Sequence, residues 1–124
     1  MTLSMRLLLT LLFMGLLLAL SVVPGRAQQG DSAFVWFVAA TPAPVQKVMH
    51  LVLYALLAFL WAWTLSAVES LAVRLAASLI IAIAWGALLE WSQTRIPGRF
   101  GTLMDALLNA AGALLGILAA LLLL

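Results

Sequence analysis

The sequence predicts an all-α fold, an integral membrane bundle of about four transmembrane helices, on three observations. Hydrophobic residues make up 67% of the 124-residue chain and charged residues only 8%, where a soluble domain carries about 25% charged residues. Mean hydropathy is +1.25. The apolar residues fall into four runs, each near the ~20 residues that a ~30 Å hydrocarbon core requires. Six basic and four acidic side chains cannot clothe a water-exposed surface of this size, so lipid is the solvent for most of the chain. The reading is a single transmembrane domain over 1–124, with helices at about 6–23, 45–68, 71–92 and 103–124.

The first apolar run, Leu7 to Val23, follows Arg6 and is closed by Pro24-Gly25. It reads as a first transmembrane helix or as a signal peptide, because Gly25-Arg26-Ala27 resembles a small-x-small cleavage site. The arginine inside that triplet, and a run of about 17 residues where a signal core has about 7–15, favour a retained helix. Gln28-Gln29-Gly30-Asp31-Ser32 is polar loop. Phe34 to Val38 is apolar but too short to span, and Trp36 suits a membrane–water boundary, so an interfacial segment is expected.

Thr41-Pro42-Ala43-Pro44 punctuates the chain before the second span, since proline suits a helix start and not its interior. Trp61 and Trp63 near the end of that span look like an interface belt. Glu69-Ser70 is a tight turn, which makes the second and third spans antiparallel neighbours. Arg74, one turn inside the third span, can snorkel to the surface or pair with Glu69. Ser92 to Gly101 is a polar loop holding Pro97-Gly98, and the fourth span starts near Leu103.

Several function classes drop out. There is no cysteine, hence no disulfide, thiolate metal site or cysteine nucleophile. One histidine cannot by itself make a zinc site, and no metal or nucleotide motif is present, so neither metal nor cofactor is expected. Arg6, Arg26, Lys47, Arg74, Arg95 and Arg99 are scattered, which leaves no dense cationic face for nucleic acid. No second polar ring or broken helix pair points to transport.

Alternation of the spans decides which polar residues can meet. Lys47, His50 and Tyr54 open the second span, Glu90 and Gln93 close the third, Arg95 and Arg99 lie in the following loop, and Asp105 and Asn109 open the fourth. All of these fall at one membrane face. Lys47, His50 and Tyr54 are three and four residues apart and form one stripe. Asp105, Asn109, Gly112 and Gly116 step by four, three and four, within an arc of about 60°. Gly112-x-x-x-Gly116 is a small-residue pair that lets another helix approach closely. Ionisable groups in a membrane segment are costly and face a bundle interior or a wet cavity, so a shared polar pocket at one interface is expected.

The spacing Lys47-x-x-His50-x-x-x-Tyr54, followed by Glu90-x-x-Gln93-x-x-x-Pro97-Gly98-Arg99-x-x-Thr102-x-x-Asp105-x-x-x-Asn109-x-x-Gly112, resembles the VanZ-like family of small bacterial membrane proteins over about residues 45–118. The family commonly carries Asp before the lysine; here that position is Gln46, so a role for that carboxylate is absent or falls to Glu90 or Asp105. The resemblance implies a multi-pass protein of the bacterial cytoplasmic membrane, with a link to resistance against the glycopeptide teicoplanin or to cell-envelope stress.

The residues thus define a candidate ligand-binding set of Lys47, His50, Glu90, Gln93, Arg99, Asp105 and Asn109, with Gly112 and Gly116 for helix packing. Each member also has a plainer reading. Lys47 can simply snorkel, His50 can be an interfacial ring bonded to a neighbour, and Glu90 can pair with a nearby cation. Asp105 fits a Thr102-x-x-Asp105 capping arrangement, and Asn109 can bond across the bundle. Arg99 offers a guanidinium fork suited to phosphate or carboxylate. Tyr54 reads as a boundary anchor.

Three functions are compatible with this pattern. The first is a binding or envelope-modifying protein, its partners membrane lipids and an anionic lipid or cell-wall precursor. The second is a membrane enzyme with His50 and Glu90 or Asp105 as acid and base on a lipid headgroup. The third is a structural or assembly subunit whose polar cluster only fixes packing. The positive-inside count puts the motif in the cytoplasm, with Arg26, Lys47, Arg95 and Arg99 against Arg6 and Arg74. Most of those cations are site candidates, however, and Arg6 before a signal-like run favours the outer face.

Overall fold

The computed structural model describes residues 1–22, 29–95 and 103–124. Five helices follow in order: α1 (Leu3–Ser21), α2 (Ala33–Ala39), α3 (Ala43–Thr64), α4 (Leu71–Gln93) and α5 (Leu103–Leu123). All except α2 are long and apolar enough to cross a membrane. The chain is therefore a multi-pass membrane protein with an all-α fold.

Local chemistry sets the helix starts. Thr2, Ser32 and Ser70 each accept a hydrogen bond from a backbone N–H three residues on, at Met5, Val35 and Val73, which satisfies a donor the first turn would otherwise leave open. The Thr2 cap begins α1 three residues before the expected position 6. The interfacial segment becomes a seven-residue helix, α2, capped by Ser32. With Pro42 at its N-cap, α3 starts at Ala43 and stops at Thr64, not near 68 as the hydropathy suggests. Residues 65–68 instead close a turn through Val68 N–H to Leu65 O at 2.9 Å. Arg74 secures that turn by donating from Nε (3.2 Å) and an Nη (2.7 Å) to the Val68 carbonyl.

The packing inverts the soluble pattern. Leucines such as Leu107, Leu114 and Leu118 are exposed, whereas the interior is built from Ala58, Ala62, Ala82, Ala113, Ala120, Ser78 and Leu57. Lipid tails are as apolar as leucine, so burying leucine between helices gains little; close approach of small residues gains dispersion contacts. The most extensive contact is between α3 and α5, with α4 packed on both and α1 against α3 and α4.

The membrane face away from the candidate site has its own polar clasp. Arg6 donates to the Trp63 carbonyl (3.0 Å) and to Ser66 Oγ (2.6 Å), and its guanidinium lies 4.8 Å from the Trp63 ring centroid. One turn deeper, Thr10 Oγ and Thr64 Oγ are 2.7 Å apart in the interior. This clasp joins the start of α1 to the end of α3. A Thr10→Val, Thr64→Val double-mutant cycle, read by reversible unfolding in mixed detergent, is expected to give a coupling of about 0.6 kcal/mol, the usual size for a hydrogen bond between transmembrane helices. A coupling of zero would mean that the clasp plays no part in docking α1.

Candidate functional site at one membrane boundary

Alternating spans bring the end of α1, the start of α3, the end of α4 and the start of α5 to one face, and α2 lies against it. His50, about two turns into α3, points at α5: His50 Nδ1 lies 2.5 Å from Asn109 Oδ1. With a carbonyl oxygen as partner the ring nitrogen donates, and the neutral imidazole keeps its Nε2 lone pair. Asn109 is almost wholly buried, so this bond ties α3 to α5 inside the bundle.

Glu90 near the end of α4 is also buried, and Asp105 in the first turn of α5 is half-buried. A ring nitrogen of His50 and one carboxylate oxygen each from Glu90 and Asp105 lie within 4.8 Å of one another. Three residues from three helices, separated by 40 and 15 positions in sequence, thus converge on one point.

Tyr54 departs from the anchor reading. It is buried at 5% exposure and its ring is parallel to that of His50, 7° between planes at 6.4 Å between centroids. The room for it comes from Gly86 on α4, where a Cβ would fall 2.9 Å from Tyr54 Cε1 and 3.1 Å from Asn109 Cβ. Gly86 carries no chemistry and escapes a search for polar residues; its signal is only that it is a glycine in the middle of a span.

Beside this cluster lies a part-open cavity of about 140 Å³. Phe34, Phe37 and Val38 of α2, Leu17 and Leu20 of α1, and Met49 and Leu53 of α3 supply its apolar wall. Its polar lining comes from Ser21, Thr41, Gln46, His50, Tyr54, Glu90 and Gln93. Gln93 also closes the end of α1, its amide nitrogen donating to Ser21 O and Ser21 Oγ at 3.3 Å each. Gln46 Nε2 holds the Thr41 carbonyl at 2.9 Å and so fixes the link from α2 into α3.

The remaining candidates are placed differently. Lys47 shares the α3 stripe but is exposed and does not line the cavity. Asp105 and Asn109 stand behind it and reach it through His50 and Glu90. Arg95 is exposed and stacks over the Trp91 ring at 4.4 Å. Arg99, with Pro97, Gly98 and Thr102, lies outside the described residues. Gly112 and Gly116 face α3, where a Cβ would strike the carbonyls of Leu51 and Ala55 respectively.

A family model described as VanZ/LLP1 matches residues 6–124. The chain belongs to the VanZ/LLP1 family. The match extends beyond the motif region 45–118 to the first span, which also fits the resemblance, so in this VanZ/LLP1 chain α1 and its clasp on α3 lie within the family's extent. Comparison with curated proteins and with solved structures returned no match.

Proposed function

We propose that this VanZ/LLP1 membrane protein seats the head region of a membrane amphiphile, an anionic lipid or a cell-wall precursor, at one face of the bacterial cytoplasmic membrane, and that this contact underlies a role in glycopeptide resistance or envelope stress. The observation that carries the reading is the mixed lining of the cavity: hydrocarbon wall on α1, α2 and α3, and the polar groups of His50, Tyr54, Glu90 and Gln93. A liquid water takes up about 30 Å³, so a 140 Å³ space suits a headgroup fragment or a short chain segment, the rest of the molecule remaining in the bilayer. A water-soluble ligand would have little use for the phenylalanines of α2.

The test is retention of phosphatidylglycerol by the purified protein, followed by native mass spectrometry. Leu53→Trp, which fills the cavity and replaces no polar group, is expected to lower retention at least tenfold at unchanged helix content. Wild-type protein that holds phosphatidylglycerol no better than phosphatidylcholine, with Leu53→Trp indistinguishable, would sink the reading. In cells, His50→Ala and Glu90→Gln are expected to fold and to lose any change in glycopeptide susceptibility that the wild-type chain confers; variants that fail to fold would support a packing role instead.

A second reading, a membrane enzyme, is favoured by the 4.8 Å grouping of His50, Glu90 and Asp105, which places an imidazole within proton-transfer reach of a carboxylate after a small movement. Turnover of candidate lipids by the purified chain separates it from simple binding.

A further inference from the structure

We propose that His50, Glu90 and Asp105 bind one divalent transition-metal cation at the junction of α3, α4 and α5. The donor set is one imidazole nitrogen and two carboxylate oxygens. Imidazole suits zinc and the later transition metals, carboxylates suit manganese and magnesium, and the mixture selects Zn²⁺ or Mn²⁺ over a purely oxygen-seeking ion. Three donors each ~2.1 Å from an ion stand about 3.4 Å apart in a tetrahedral site. Closing from 4.8 Å therefore asks only a short swing of side chains.

An observation outside the three ligands points the same way. Metal-bound histidine ordinarily gives its other ring N–H to a carbonyl or carboxylate, which sets the tautomer. Here Asn109, buried and packed against Gly86, accepts from His50 Nδ1 and leaves Nε2 as the coordinating atom. His50 and Glu90 also line the cavity while Asp105 stands behind them. The open coordination positions would then face the cavity, where an oxygen of an anionic headgroup can complete the shell. That last step rests on the amphiphile reading; the cation site itself does not.

The experiment uses the full chain in a neutral maltoside detergent with no added lipid, titrated with Mn²⁺ by electron paramagnetic resonance and with Zn²⁺ in competition. One ion per chain is expected. Glu90→Gln and Asp105→Asn should each weaken it at least tenfold, and Asn109→Ala, which removes a positioning residue, by about tenfold, the low end for such partners. Val52→Ala, exposed on α3 and outside the cavity, should match wild type. Asp105→Asn is nearly isosteric and half-exposed, so it remains decisive if Glu90→Gln misfolds; bound Zn²⁺ should raise the unfolding temperature of wild type and not of Asp105→Asn. The proposal is overturned by a lack of saturable binding, or by affinity unchanged in Asp105→Asn. Because lipid is absent here, a negative result leaves the phosphatidylglycerol test standing, and a failure of that test leaves the ion site standing.

Discussion

Replacing Gly116 by alanine is expected to destabilise the bundle by about 2 kcal/mol, within the ~1–3 kcal/mol typical of overpacking, although a single methyl is all that is added. A Cβ there would lie 2.8 Å from the Ala55 carbonyl carbon and 2.9 Å from Ala55 Cα, and closer still to the carbonyl oxygen. At Gly112 the Leu51 carbonyl carbon and Cα would both be 3.0 Å away. These neighbours are backbone of a helix and cannot rotate aside as a side chain does, so α3 and α5 must move apart along their contact. The glycine Cα–H groups at present point at those carbonyl oxygens, a geometry that contributes weakly itself and is lost with the separation. Helix propensity pulls the other way, since alanine is better than glycine by about 1 kcal/mol in a helix interior.

The control is Gly15→Ala on α1, where a Cβ meets nothing within 4 Å. That variant should be neutral or more stable. Gly86→Ala should fall between, because its contacts are the Tyr54 ring edge and the Asn109 side chain, which can give way. Reversible unfolding of the three variants in mixed detergent orders them. If Gly116→Ala proves as harmless as Gly15→Ala, backbone contact does not hold α3 against α5.

Asn109→Leu is expected to have the second largest effect. A buried donor left without an acceptor costs about 1–3 kcal/mol, whereas hydrogen bonds between transmembrane helices average ~0.6 kcal/mol and reach ~1.7. Asn109 is 2% exposed and its partner His50 is held between α3 and α5, which argues for the upper part of the second range. Leucine also puts an apolar fork beside Gly86, which lies so near that a Cβ added there would fall 3.1 Å from Asn109 Cβ and Nδ2. A loss of about 2 kcal/mol is expected from the two causes together. His50→Ala should cost less, since it removes the donor with the acceptor's need more easily met. A double-mutant cycle with His50→Ala and Asn109→Ala should return a coupling of ~1 kcal/mol; independence of the two would mean that the bond contributes nothing to the fold.

Much of the architecture is legible in the residues alone. Span count and approximate limits follow from run length and hydropathy, because each is a local property set by the thickness of hydrocarbon. Same-face placement of His50, Glu90, Asp105 and Asn109 follows from the alternation of spans, which is topology and needs no coordinates. The end of α3 is less legible: residues 65–68 are as apolar as a helix needs, and the Arg74 side chain that holds them as a turn acts from the next element.

Lateral arrangement belongs to the tertiary structure. In water, an apolar stripe tells which side of a helix is buried; in lipid, the exposed leucines of α5 and its buried alanines are both apolar, so periodicity is silent about neighbours. Close packing of small residues decides them, and its effect depends on shapes that only meet across helices. That packing buries Tyr54 against Gly86, sets α2 as a wall of the cavity and leaves Lys47 outside it. It also brings the three ionisable groups, whose shared face follows from topology, to within 4.8 Å of one another, a distance that span alternation does not set. Hydropathy settles what enters the membrane; contact between backbones settles what each side chain finds there.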